Sequence, residues 1–309
     1  MIEQVLSGPL AAQTCESVAQ WWPRHRDLAI SGKDAFGHAI AGGLAADRIG
    51  WAFASGYQAA LHSLFPGAPR DRICALCVTE AEGNSPRAIR STLRKDGNGW
   101  LLGGAKRWTT LGPEGSLFFV AARDEAASGE RAAIKIVKVP SDAPGLGIEL
   151  MPETEFVPEV PHARLQFDSL KIPQTAVLPG DGYAMYVKPF RTVEDIYVNG
   201  AILAYLAREA RRLSWPQDWL ERCVATLESL QGLARRGPSS PATHIALAGA
   251  LAIAAELASR ADELWRRTPT DAAATRWQRD RPLFGVAAQA RAARTGRAWQ
   301  QLVGGMPTP

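Results

Sequence analysis

The sequence predicts a mixed α+β chain in the order helices, sheet, helices. Three observations carry this. Residues 1–70 hold an apolar face at roughly helical spacing: Leu44, Ile49, Trp51, Phe53, Tyr57, Leu61 and Leu64 recur across Ala41 to Phe65. Residues 71–185 hold short apolar runs separated by Gly, Pro and Asp clusters, the spacing of an antiparallel barrel or sandwich. Residues 186–309 return to helical periodicity in segments joined by short connections, the pattern of a four-helix bundle.

Taken in order, the first region has Trp21 and Trp22 beside Pro23, an expected helix break, and it closes at Pro66-Gly67-Ala68-Pro69. In the middle region the strand runs are Leu117 to Ala121, Ile134 to Val139 and Leu165 to Phe167. Asp96-Gly97-Asn98-Gly99 between two strand-like segments reads as a tight reversal, because these residues tolerate positive φ. Residues 140–147 and 152–161 are loops. The last region predicts helices over Val193 to Leu213, Trp219 to Leu233, Pro241 to Trp265 and Pro282 to Leu302. Pro282 would occupy the first turn of the fourth, with Gly304 and Gly305 after its end.

Composition narrows the function class. The chain has 309 residues, 46% of them hydrophobic and 21% charged, with a net charge of +4. The positive charge is spread along the chain, whereas nucleic acid or a membrane surface would call for a concentrated stripe. Four cysteines, two in Cys74-x-x-Cys77, offer no disulfide framework and suggest a reducing compartment. With no basic-then-apolar pattern at the N-terminus, a cytoplasmic protein is expected. The most apolar run, Ile245 to Ala258, is too short to span a bilayer and reads as a core helix. No second cysteine pair follows the first, and the five histidines have no ligand spacing to one another, so no metal site is expected.

The chemistry concentrates between Cys77 and Thr110. One end is the polar loop Cys77-Val78-Thr79-Glu80-Ala81-Glu82-Gly83-Asn84-Ser85; the other is Gly103-Gly104-Ala105-Lys106-Arg107-Trp108-Thr109-Thr110. Singly, Thr and Trp merely favour strands. Brought together, the two ends would gather hydroxyls, backbone N–H groups and a flat apolar ring, a bed for a planar heteroaromatic cofactor. These residues resemble the acyl-CoA dehydrogenase family, in which a C-V-T-E-P-x-A-G-S-D-like loop precedes a strand pair ending G-x-K-x-W-I-T. Thinner likeness continues through Asp142-Ala143-Pro144-Gly145 and Leu165-Gln166-Phe167-Asp168 to Ile172-Pro173. Here Glu82 and Asn84 stand where the family has small residues, and Pro86 where it has an acid.

The resemblance implies a fold of N-terminal helices, a middle antiparallel β barrel and a C-terminal four-helix bundle. It divides the chain into 1–70, 71–185 and 186–309, the first region shorter than the family's. It implies FAD as cofactor, with Leu76, Cys77, Val78, Thr79, Trp108, Thr109 and Thr110 lining the flavin and Ser85 on flavin or the substrate arm. Arg236 would meet a phosphate, and Gly304 and Gly305 the adenosine half. The reaction would be α,β-dehydrogenation of an acyl-CoA or related acyl thioester. Glu194 falls where some family members carry the base, on the first helix of the last region; the C-terminal segment that carries it in others is not expected here. The residue-level alternative is that Val193-Glu194-Asp195 is a first helical turn capped by Thr192. A homodimer or homotetramer and electron transfer to an electron-transfer flavoprotein follow from the same resemblance. Two other readings stand beside it: a non-catalytic relative acting as partner subunit or ligand-binding protein, and a flavoenzyme of different chemistry.

Overall fold

The computed structural model describes residues 1–30, 34–65, 67–127 and 133–304. The chain forms two compact units. One comprises Met1–Ser63, Glu155–Glu159 and Thr192–Pro309; the other comprises Leu64–Thr154 and Val160–Arg191.

The first unit is helical. Its N-terminal part holds α1 (Ile2–Ser7), α2 (Val18–Ile30), α3 (Ala35–Ala45) and α4 (Ile49–Leu64). The expected break at Pro23 does not occur: α2 runs through it. Trp21 and His25, on either side, are buried and stack at 4.8 Å, so packing holds the helix across the lost hydrogen bond. The single apolar stretch expected from Ala41 to Phe65 is interrupted at Ala46-Asp47-Arg48, where Arg208 Nη1 donates to the carbonyls of Leu44 (2.7 Å) and Ala46 (2.5 Å). The C-terminal helices are α5 (Lys188–Arg212), α6 (Gln217–Ala234), α7 (Pro241–Trp265), α8 (Ala272–Asp280) and α9 (Ala288–Val303). Glycines let α3 and α4 approach α5 closely: a Cβ on Gly43 would lie 2.0 Å from the Ala201 carbonyl oxygen, and one on Gly56 would lie 2.6 Å from Val198 Cα.

The C-terminal part departs from four helices. Asp271 caps an additional helix, α8, by accepting from the Ala273 amide. Pro282 lies in a 3-10 turn over Arg281–Gly285, not in the first turn of the last helix, and Ala287 at φ 66° separates that turn from α9. The apolar run Ile245 to Ala258 lies inside α7, whose 25 residues are long and apolar enough to cross a membrane by length and composition alone. In this unit α7 packs on α6 and α9.

The second unit is a curled seven-stranded sheet: β1 (Cys74–Cys77), β2 (Thr92–Asp96), β3 (Gly99–Thr110), β4 (Leu117–Asp124), β5 (Ile134–Pro140), β6 (Leu146–Leu150) and β7 (His162–Pro173). The strand order is β1-β4-β2-β3-β7-β6, with β5 on the other edge of β4. The sheet is mixed rather than wholly antiparallel, because β1 and β2 each pair parallel to β4. Asp96 pairs Gly99 across the predicted reversal, and Gly97 takes the positive φ, 54°, that the turn requires. Phe118, Val120, Val137, Leu102, Leu165 and Phe167 belong to one hydrophobic cluster, each nearly or fully buried. In sequence order the chain thus has helical N- and C-terminal regions and a middle sheet, the α+β class expected.

Candidate functional site

In the sheet unit, the two ends of the Cys77–Thr110 stretch meet. The Arg107 amide donates to the Thr79 carbonyl at 2.8 Å, and Lys106 Nζ donates to the Val78 carbonyl at 3.4 Å. Leu76 and Cys77 lie on β1; burial pushes the Cys74 and Cys77 thiols up to about 12, so neither is a nucleophile. The Thr109 side chain is buried beside Cys77.

What clamps the two ends is a pair that the sequence reading did not single out. Glu80 accepts from the backbone amides of Arg90 (2.7 Å) and Ser91 (3.0 Å), from Ser91 Oγ (2.8 Å) and from Lys106 Nζ (2.5 Å). Lys106 is fully buried and Glu80 is 8% exposed. Burial alone would raise the Glu80 carboxyl, but Lys106 and these donors hold it below the usual range. The signal was present in the motif itself, an acid after Thr79 and a lysine two residues before Trp108.

Past Lys106 the strand bulges. Lys106 pairs Leu165 and Thr109 pairs Ala163, so Arg107 and Trp108 together oppose Arg164. Trp108 consequently takes φ 57°, a left-handed backbone that a bulky residue adopts at a cost. Its amide points at Met151 Sδ, 3.2 Å away, and its ring meets His162 edge-on at 5.8 Å. The ring is 46% exposed. Thr110 follows, half-buried and paired with His162. A strained bulge therefore presents an aromatic face beside a threonine hydroxyl.

The loop positions that depart from the family motif are tied down by arginines. Glu82 pairs with Arg90 (3.0 Å), and the Asn84 side-chain Oδ1 accepts from Arg191 Nη2 at 2.9 Å. Glu82 therefore does not stand as an uncompensated negative charge. A cavity of ≈ 550 Å³ opens here, lined among others by Glu80, Glu82, Arg90, Arg107, Leu150 and Arg164. Ser85 is exposed on the loop, its carbonyl accepting from the Ala88 amide.

The remaining predicted residues lie in the helical unit. The helix that carries Glu194 begins at Lys188, directly after a π-turn over Tyr183–Val187, instead of at Val193. Thr192 is therefore not a cap. It is buried inside α5, 3.4 Å from Arg294 Nη1 through its Oγ1, and Glu194 lies beyond the first turn, half-buried. The helix dipole thus does not account for an acid at this position. Its neighbour Asp195 is structural: it receives Arg291 Nε at 2.8 Å and Arg294 Nη2 at 2.7 Å, fastening α9 to α5. Arg236 is exposed just past the end of α6. Gly304 is the left-handed cap of α9 at φ 69°, the geometry of an ordinary helix stop. Gly305 lies outside the described residues.

The donor set on the sheet fits a flavin. Thr79 and Thr110 supply hydroxyls, and Trp108 an exposed aromatic face.

Comparison with known proteins agrees with this geometry. Residues 75–170 match the family described as acyl-CoA dehydrogenase, middle domain. A curated relative, acyl-CoA dehydrogenase IpdE1 of Mycobacterium tuberculosis, is 27% identical over 133 residues, 42% of this chain. That match spans about a third of the relative's own length, 34%. The structure of butyryl-CoA dehydrogenase from Megasphaera elsdenii superposes with a TM-score of 0.69 at 14% identity, covering 96% of this chain and 88% of that one. The structure described as the FAD complex of PigA does so at 0.69 with 13% identity, covering 91% and 89%. Residues 75–170 thus match the acyl-CoA dehydrogenase middle domain, and the chain has the acyl-CoA dehydrogenase fold.

Proposed function

We propose that this protein is an FAD-dependent oxidoreductase that introduces an α,β double bond into an acyl thioester, with acyl-CoA as the substrate class. The observation that carries the reading is Trp108, held exposed in a left-handed bulge beside Thr110 and locked to the Thr79 loop through Glu80 and Lys106. Trp108 would offer the flavin ring a flat apolar face, and Thr79 and Thr110 would donate or accept along its edge. FAD, when bound, supplies a two-electron acceptor for the β-hydrogen. Glu194 would take the α-proton as the C=C bond forms, so that proton and hydride both leave the substrate. A carboxylate suits this if the bound substrate excludes water from it, since desolvation raises its basicity.

The same reading assigns a homodimer or homotetramer and an electron-transfer flavoprotein as acceptor. It also assigns a cytoplasmic setting, which the burial of all four cysteines outside any disulfide supports. Anaerobic mixing of the FAD-loaded protein with a panel of acyl-CoA substrates tests the chemistry. Flavin bleaching is expected, and Glu194→Gln should slow it at least about a hundredfold. Unchanged bleaching in that variant removes Glu194 as the base.

A further inference from the structure

We infer that Met151 is a positioning residue for Trp108: its thioether accepts the amide that the β3 bulge releases, and so fixes the exposed indole where the flavin would lie. The indole's role toward flavin rests on the proposed function. The hold of Met151 on Trp108 stands on the geometry of the sheet unit alone.

In a regular ladder a strand amide finds its carbonyl on the neighbouring strand. Here Lys106 pairs Leu165 and Thr109 pairs Ala163, so Arg107 and Trp108 both fall out of the β3–β7 register. Each amide is then met from outside that ladder. The Arg107 amide donates to the Thr79 carbonyl at 2.8 Å, and the Trp108 amide donates to Met151 Sδ at 3.2 Å. A part-buried amide with no acceptor would add to the cost that a bulky residue already meets at φ 57°. Sulfur accepts weakly, but this sulfur is held in place. Met151 is 7% exposed, directly follows β6, and donates its own amide to the His162 carbonyl at 2.9 Å. In the strand order β7 lies between β6 and β3, so the Met151 side chain ties together two strands that share no ladder. His162, on β7, closes the unit: its ring meets the Trp108 ring edge-on at 5.8 Å, and its backbone pairs Thr110. Trp108 is thus fixed at its amide by Met151 and at its ring by the residue that anchors Met151.

The variants Met151→Leu and Met151→Gln test this in the full chain, labelled with 5-fluorotryptophan and with Trp108→Phe used to assign the Trp108 signal. Leucine keeps the volume and removes the acceptor; glutamine restores an acceptor at similar reach, and its amide group can face the cavity that Met151 lines. In Met151→Leu, hydrogen exchange of the Trp108 amide should quicken at least about tenfold. The Trp108 fluorine resonance should move, and FAD affinity should fall several-fold. Met151→Gln should bring all of these back toward the parent. An exchange rate and a fluorine resonance unchanged in Met151→Leu would overturn the proposal. So would FAD binding at parent affinity despite a displaced indole, or a glutamine variant that restores nothing, which would make Met151 a packing residue. A parent chain that takes up no FAD would contradict the proposed function instead, while exchange and fluorine signals still decide whether Met151 holds Trp108.

Discussion

Lys106 Nζ lies 2.5 Å from Glu80 Oε1, and this buried ion pair joins the loop after β1 to the strand that presents Trp108. Removing one partner of such a pair strands the other as an uncompensated charge. Lys106→Met should therefore destabilise the sheet unit by about 3–5 kcal/mol. Adding Glu80→Gln to it should recover part of the loss, since no charge is then left unpaired and the Gln oxygen still accepts from one of the two amides of Arg90 and Ser91. Urea denaturation of the two variants checks this; a double variant no better than the single would show that the loop depends on charge rather than on shape.

Trp108 offers a separation of stability from binding. Glycine takes φ 57° without the cost that a side chain meets, roughly 1–2 kcal/mol, and the ring it would replace is only half covered. Trp108→Gly should stay within about 1 kcal/mol of the parent in thermal unfolding. Its affinity for FAD should fall at least about tenfold, because the aromatic face is gone. A variant that melts well below the parent yet binds FAD with unchanged affinity would make Trp108 a packing residue.

His25 predicts a pH dependence in the helical unit. Its folded pKa is lowered, first by burial and then by the nearby His62 and His38, to about 3, against an ordinary value of 6.5. The unfolded chain therefore binds the proton more readily. The stability is fully present above about pH 6.5, and is lost as pH falls from there toward the folded value. At pH 5 the loss is roughly 2 kcal/mol. Melting temperatures of the parent and His25→Gln between pH 8 and pH 5 check it: the parent should fall on acidification and the variant should fall less.

The parts of the fold that were legible in the sequence are those set by local chemistry. The reversal at Asp96-Gly97-Asn98-Gly99 and the strands around Leu117, Ile134 and Leu165 depend on turn residues and alternation, and these are written in the chain. What was not legible depends on distant partners. Pro23 does not break α2, because buried rings flank it on both sides. Thr192 looked like a cap because Val193 begins an obvious periodic run, yet α5 grows backwards out of a π-turn. Nothing local announces that Arg291 and Arg294 will converge on Asp195 across 96 and 99 residues. The meeting of the two ends of the Cys77–Thr110 stretch was legible because both ends carry motif residues. The unpartnered atoms of His25, Ser55 and Asp47 come from α2, α4 and the connection between α3 and α4, and no spacing links them.

The measurement that tests the central claim most directly is the visible absorption spectrum of the purified protein before and after FAD is added. Flavin bands at near-stoichiometric occupancy, displaced from those of free FAD by contact with Trp108, are the expected result. A colourless protein that takes up no FAD would contradict the proposed oxidoreductase and leave only the fold.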